Sequence, residues 1–142
     1  MPKNGKPLDE DYRRLLEFRT GVRQFLRWSE AEAARHGLTP TQHQLLLAVR
    51  GHDHRRGPTI GDVAERLLLR HHSAVELVDR AEAAGLVKRV SDPDDRRLVR
   101  LALTPKGEKK LAPITLQTLE QLDRIGVSLP GRWKRFELRE QD

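Results

Sequence analysis

Between Thr59 and Leu103 the apolar residues change their spacing from helical to alternating, and few small folds accommodate that order in so short a stretch. Ile60, Val63, Ala64 and Leu67 fall at helical intervals behind Thr59, a good N-cap, which predicts a short helix from about Thr59 to Leu68. A second helical stretch begins at His71 or His72 and runs to Ala84, where Gly85 stops it. Leu86 to Val90 then follow a period of two, as do Val99, Leu101 and Leu103 within the segment Leu98 to Leu103. Between these segments lies Ser91-Asp92-Pro93-Asp94-Asp95-Arg96-Arg97, a run of turn formers that predicts a β-hairpin with a basic tip.

Both flanks of that stretch read as helical. Leu8, Tyr12, Leu15, Val22 and Leu26 fall at spacings of four and three, with Arg19 as an interruption, which predicts a long amphipathic helix from Leu8 to about Arg35, ended by Gly37. No other early element covers its apolar stripe, so the stripe must pack on later helices or on a second chain. Thr39-Pro40-Thr41-Gln42 starts the next helix, with Thr39 as cap, Pro40 at the first helical position and Gln42 completing a capping box. Leu45, Leu46, Leu47, Ala48 and Val49 follow, and Gly51 ends the helix. His52 to Pro58 is a polar, basic loop bounded by Gly57-Pro58. After the hairpin, Thr104-Pro105 restarts a helix with Leu111, Ile114, Leu119, Leu122 and Ile125 as candidate apolar positions up to Gly126, and Pro113 is expected to kink it. Beyond Leu129-Pro130-Gly131, the tail Arg132-Trp133-Lys134-Arg135-Phe136 fits a last helical turn, a docking segment or a disordered end alike.

At 142 residues the chain fits one domain and can bury a core without metal or disulfide support. With 34% charged, 37% hydrophobic and 4% aromatic residues, it suits solvated amphipathic helices better than a β-sandwich, so the expected class is mostly α with a small β-hairpin. The absence of cysteine excludes disulfides, thiolate metal sites and thiol-based redox sensing. Neither a signal peptide nor a run of apolar residues long enough to span a bilayer occurs, so a cytoplasmic location with no membrane partner is expected.

Helix, helix, strand, basic turn, strand and helix is the order of a winged helix-turn-helix, whose second helix enters the major groove of DNA. That assignment requires the second helix to have two different faces. At 100° per residue Ala74, Val75, Leu77, Val78 and Ala81 gather on one side, while His72, Ser73, Glu76, Asp79 and Arg80 gather on the other. An ordinary surface helix would show the same division, and a bare basic turn is usually only solvated. The two together, at this separation, favour binding: a thin ribbon tipped by Arg96 and Arg97 suits the narrow, electronegative minor groove. The excess of Lys and Arg over Asp and Glu, 27 to 21, is consistent with a polyanionic partner without naming it.

At this point the sequence resembles the MarR (multiple-antibiotic-resistance regulator) family. The resemblance is carried in order by Ile60-Gly61-Asp62-Val63-Ala64-Glu65-Arg66-Leu67, Val75 to Arg80, Gly85-Leu86-Val87, Asp95-Arg96-Arg97 and Leu103-Thr104-Pro105-Lys106-Gly107. It extends from about Leu8 to Ile125. It implies that Asp95 pairs with Arg97 and orients it into the minor groove, and that recognition-helix contacts fall near His72, Ser73, Glu76 and Arg80, with Arg70 and His71 beside them. Arg96 is assigned to phosphate. The link Leu68-Leu69-Arg70-His71-His72 departs from the family pattern, being one residue longer than the commonest spacing and lacking a small turn residue. The expected organisation is a single domain over residues 1–142, with dimerisation helices at 8–36 and 105–142 around a winged helix-turn-helix core at 39–104. The implied function is a homodimeric, sequence-specific regulator of transcription on a palindromic site, a repressor released by a small-molecule effector. The rivals are a sequence-indifferent architectural DNA binder and a winged-helix domain used for protein contacts.

Other chemistry has little support. His52-Asp53-His54 and His71-His72 have metal-binding side chains, but their spacing does not place them on one helical face and the first cluster sits in a basic loop, so no metal is expected. No Gly-rich phosphate cradle, nucleophile elbow or His-Glu-x-x-His helix occurs, so neither enzymatic activity nor a cofactor is expected. Phe18, Phe25 and Trp28 could line a ligand pocket, but at helical spacing they fit a core or a dimer interface better.

Overall fold

The structure is a computed structural model that describes residues 5–125. Helix α1 (Asp9–Arg35) starts where the Asp11 carboxylate accepts the backbone N–H of Leu8 at 2.8 Å. The next starts depend on threonine. Thr39 caps α2 (Pro40–Arg50) and Thr59 caps α3 (Ile60–Arg66), each hydroxyl accepting the N–H three residues on. Gln42 and Asp62 return the bond to the N–H of Thr39 and Thr59, both at 3.0 Å, so each start is a closed capping box with two orphan donors satisfied. The chain continues through α4 (His71–Ala83), β1 (Val87–Ser91) and β2 (Val99–Leu103) to α5 (Pro105–Arg124), whose cap Thr104 accepts from Gly107 at 3.1 Å.

β1 and β2 pair antiparallel, with Val87 opposite Leu103 and Ser91 opposite Val99. The far side of β2 is occupied as well: Leu101 donates to the Pro58 carbonyl at 2.8 Å and Thr59 bridges Arg100, so the segment before α3 borders the hairpin. Leu45, Leu46, Val63, Val78, Val87, Leu101 and Ile114, one or two from each element after α1, meet in the core. The helix at 105–124 runs through Pro113 as one helical element, and its inward residues are Leu111, Ile114 and Leu122. Leu119 and Ile125, expected at apolar positions, face outward together with Leu116. Gly126 and the tail from Leu129 to Phe136 lie outside the described residues. Among the described residues no helix is long and apolar enough to cross a membrane.

Element ends differ from expectation by a residue or two, and one difference has a physical cause. α1 and α4 finish in the same way, with Gly37 (φ +74°) and Gly85 (φ +75°) in the left-handed region and paired bonds back into the last turn. α3 uses that closure too: Leu69 donates to Ala64 at 2.8 Å and Leu68 to Glu65 at 3.3 Å, but the residue turned left-handed is Leu68, at φ +55°. The helix therefore stops at Arg66 instead of reaching Leu68. Leu68 is 88% exposed, so burial does not offset the roughly 1–2 kcal/mol that this conformation costs a residue with a Cβ. Replacing it with glycine removes that cost and adds back about 0.4–1 kcal/mol of unfolded-chain entropy. Leu68→Gly is expected to raise stability by about 0.5–1 kcal/mol in urea unfolding, whereas Leu68→Val, β-branched at positive φ, lowers it.

Candidate nucleic-acid interface

Helix α4 buries Ala74, Leu77, Val78 and Ala81, and half-buries Val75. The opposite face leaves His71, His72, Glu76 and Arg80 exposed, with Ser73 half-buried at the edge. Arg70 is the N-cap and provides no side-chain cap, so the first-turn N–H groups and their partial positive charge are directed outward beside an exposed guanidinium. Glu76 and Arg80 lie 3.8 Å apart as an exposed pair one turn apart, a geometry too weak to prevent Arg80 from taking another partner. Asp79, grouped with the polar face by spacing alone, is drawn to the hairpin. Arg89 of β1 donates to Asp79 and to Glu82, each at 2.6 Å, and locks the helix to the strand.

The hairpin tip presents two arginines held in different ways. The Asp95 carboxylate accepts Nε and Nη2 of Arg97, both at 3.1 Å, and the Arg97 backbone N–H at 3.1 Å. These bonds hold the Asp95 carboxyl below the usual carboxylate range, while the Arg97 side chain stays 90% exposed. Arg96 is exposed and makes no hydrogen bond or ion pair among the described residues. The expected Asp95–Arg97 pair is thus present, with Arg96 free beside it.

Under this tip is a buried cluster that sequence reading missed. Asp92 is 4% exposed and accepts Arg100 Nε at 2.5 Å, Arg56 Nη1 at 3.2 Å, and the backbone N–H groups of Asp94 and Asp95 at 2.8 and 3.2 Å. Arg56 also reaches Asp94 at 2.6 Å, and Arg100 Nη1 donates to the Gly57 carbonyl at 3.0 Å. Gly57 has φ +87°, and a Cβ there would lie 2.1 Å from the Leu101 carbonyl oxygen, so only glycine lets the 51–58 loop lie against β2. The Arg100 guanidinium, followed by the two backbone donors, holds the Asp92 carboxyl far below its ordinary range. Arg56 and Asp92 lie 36 residues apart, and a charged loop residue such as Arg56 carries no local sign of such a pairing.

The predicted residues therefore fall into two groups, Arg70 to Arg80 on α4 and its cap, and Asp95 to Arg97 on the turn. The histidines of the α2–α3 loop have other partners: His52 Nε2 lies 3.6 Å from Asp62, and His54 Nδ1 accepts the Arg56 N–H at 3.1 Å. Among the described residues no three His, Asp or Glu side chains converge on a site for a metal ion. Phe25 and Trp28 stack with ring centroids 6.3 Å apart, and Phe18 is half exposed.

A sequence profile of the MarR family matches residues 36–98. The HTH-type transcriptional regulator YkoM of Bacillus subtilis is 31% identical over 111 residues, covering 75% of this chain and 70% of that protein. The HTH-type transcriptional repressor MdtR of the same organism is 28% identical over 78 residues, covering 55% of this chain and 48% of that one. Over the curated relatives matched, the shared stretch spans 44% to 70% of the other protein's length. The crystal structure of CouR from Rhodococcus jostii RHA1 bound to p-coumaroyl-CoA superposes with a TM-score of 0.69 at 24% identity, covering 96% of this chain and 92% of that one.

The Asp92 cluster gives stability a definite pH dependence. A carboxyl depressed on folding contributes fully above its unfolded value of about 3.9 and loses that contribution as pH falls through the depressed range. The stability difference between wild type and Asp92→Asn is expected to be constant above about pH 5 and to shrink below about pH 4, as read by urea unfolding over a pH series. Asp62 is depressed as well and remains in both proteins, so its titration cancels, whereas Asp95 borders Asp92 and the difference reports the two together.

Proposed function

Because the chain belongs to the MarR family of transcriptional regulators, we propose that it acts as a homodimer whose two winged heads read successive major grooves of a roughly palindromic operator and repress transcription by occluding the promoter. The observation that carries this reading is Arg97, which is fixed by Asp95 through two side-chain bonds and yet almost wholly exposed. A guanidinium restrained before binding loses less freedom on entering a narrow minor groove. Residues 39–104 form the DNA-binding core. Arg70, His71, His72, Ser73, Glu76 and Arg80 address the major groove, Arg97 oriented by Asp95 addresses the minor groove, and Arg96 contacts phosphate.

The arms at 8–36 and 105–142 serve dimerisation. Along α1 only Glu32 and Ala33 are buried, while Leu8, Tyr12, Leu15, Leu16, Phe18 and Leu26 are exposed, as are Leu116, Leu119 and Ile125 at the far end of α5. Full burial of a large apolar side chain contributes roughly 1.5–3 kcal/mol, so covering these half-exposed side chains with a second chain supplies a gain of the size needed to offset the cost of association. CouR, a protein of the same fold, holds p-coumaroyl-CoA; here a small aromatic anion bound near the arms shifts the spacing of the heads and releases the operator. A role on the chromosome implies a cytoplasmic location.

Selection of genomic fragments bound by the protein, followed by titration of the enriched site against random duplex, tests the reading. Specific binding must survive the competitor, and equal affinity for both would leave a sequence-indifferent DNA binder in its place. Sedimentation at micromolar concentration is expected to give about twice the chain mass of 16.3 kDa, and Leu16→Glu with Leu119→Glu is expected to return it to the monomer. On DNA the two wing arginines should differ in kind. Arg96→Ala weakens all sequences and lowers the salt slope by about one counterion, whereas Arg97→Ala costs more on A·T-rich flanks.

A further inference from the structure

The Asp92 cluster is the buried polar assembly that the DNA-binding reading leaves without a task. Its carboxylate is too deeply placed to meet a ligand, and both oxygens are already taken: one by Arg100, the other by Arg56 and the N–H groups of Asp94 and Asp95. Those last two bonds are the informative ones. They fix the backbone of the residue whose side chain then grips Arg97, so an unbroken series of contacts runs from the Gly57 carbonyl through Arg100, Asp92 and Asp95 to the exposed guanidinium. Arg56 adds a second tie, joining Asp92 and Asp94 to the loop before α3.

We propose that Asp92 is the positioning residue of the wing, setting the aim of Arg97 by fixing the backbone of Asp95, and that Arg56 and Arg100 hinge that aim on the 51–58 loop. The inference rests on the reading of Arg97 as the residue that enters the minor groove. Charge alone does not explain the arrangement, because a surface turn as polar as Asp92 to Arg97 satisfies its own donors with water. What burial adds is a fixed origin: Asp92 is anchored to a different part of the chain, so the turn cannot rock about the strand ends. The Asp95–Arg97 pair alone would move with the turn that carries it.

Asp92→Asn is the direct probe, since the amide keeps the shape but must turn a donor either toward Arg100 or toward the N–H groups of Asp94 and Asp95. Arg56→Ala removes one tie from outside the hairpin and serves if the first variant fails to fold. NMR relaxation of the Arg97 Nε–H in the free protein needs no DNA. It should show the ordered signal of wild type loosened in Asp92→Asn as far as in Asp95→Ala, and partly in Arg56→Ala. On DNA, the preference for A·T-rich over G·C-rich flanks should fall roughly fivefold to tenfold in Asp92→Asn, and Asp92→Asn should cause no further loss when introduced into Arg97→Ala. An Arg97 signal unchanged in the folded variants, or a double variant that loses preference additively, overturns the proposal. If Arg97 loosens as expected while wild type and Arg97→Ala discriminate flanks equally, the positioning role stands and it is the minor-groove reading that fails.

Discussion

A Cβ on residue 107 would lie 2.2 Å from the Leu86 carbonyl oxygen, and the rest of the head depends on the close approach that glycine permits there. With Gly107 seated under Leu86, the cap and first turn of α5 reach three carbonyls of the turn that leaves α4. Lys106 Nζ donates to Ala84 at 2.9 Å, the Thr104 hydroxyl to Gly85 at 2.5 Å and the Thr104 N–H to Leu86 at 3.1 Å. The end of α4, the entry to β1 and the base of α5 thereby become one node. The polar face of α4 cannot rotate without carrying the hairpin and the arm with it, which explains physically why Leu103-Thr104-Pro105-Lys106-Gly107 stands in this order.

Charge on the outward face is arranged by the same logic of fixed partners. Asp79 and Glu82 are held by Arg89, Asp92 and Asp94 by Arg56 and Arg100, and Asp95 by Arg97. Left bare, these carboxylates would repel a polyanion at close range; paired, they act as anchors that aim cations. Arg70 and Arg96 have no such partner among the described residues, so their charge is available to a diffuse target such as a phosphate backbone.

Much of this was legible locally. Thr39, Thr59 and Thr104 announced three helix starts because a cap and its partner lie three residues apart, and the change of spacing at Gly85 announced the hairpin. The same locality limited the reading. Asp79 has the helical phase of a groove contact, and only the fold shows Arg89 beside it. Asp92 looked like one more turn former, because its value lies in Arg56 and Arg100, brought in by strand pairing and by the turn at Gly57. The link from Leu68 to His72 reads as one residue longer than the commonest spacing and without a small turn residue, but only the backbone shows that Leu68 fills a left-handed position normally given to glycine. On α5, spacing identified apolar residues correctly and could not separate the inward Leu111 and Ile114 from the outward Leu119 and Ile125.

That outward set bears on how α1 holds its shape. A helix of 27 residues is roughly 40 Å long at 1.5 Å per residue, far beyond what one small head can cover, and only Glu32 and Ala33 near its end are buried. Isolated helices are marginal in water, and natural ones persist mainly through packing of an apolar face. Among the described residues most of α1 receives no such packing, so in the dimer proposed above the helicity of the arm and its contact with a second chain would belong to one equilibrium. Separation of the two chains of that dimer would then carry the cost of fraying both arms as well as of exposing their surfaces. Because α1 leads through Gly37 and Leu38 directly into α2, and α2 packs against the core that carries α4, a displacement of α1 reaches the polar face of α4 through backbone already in place.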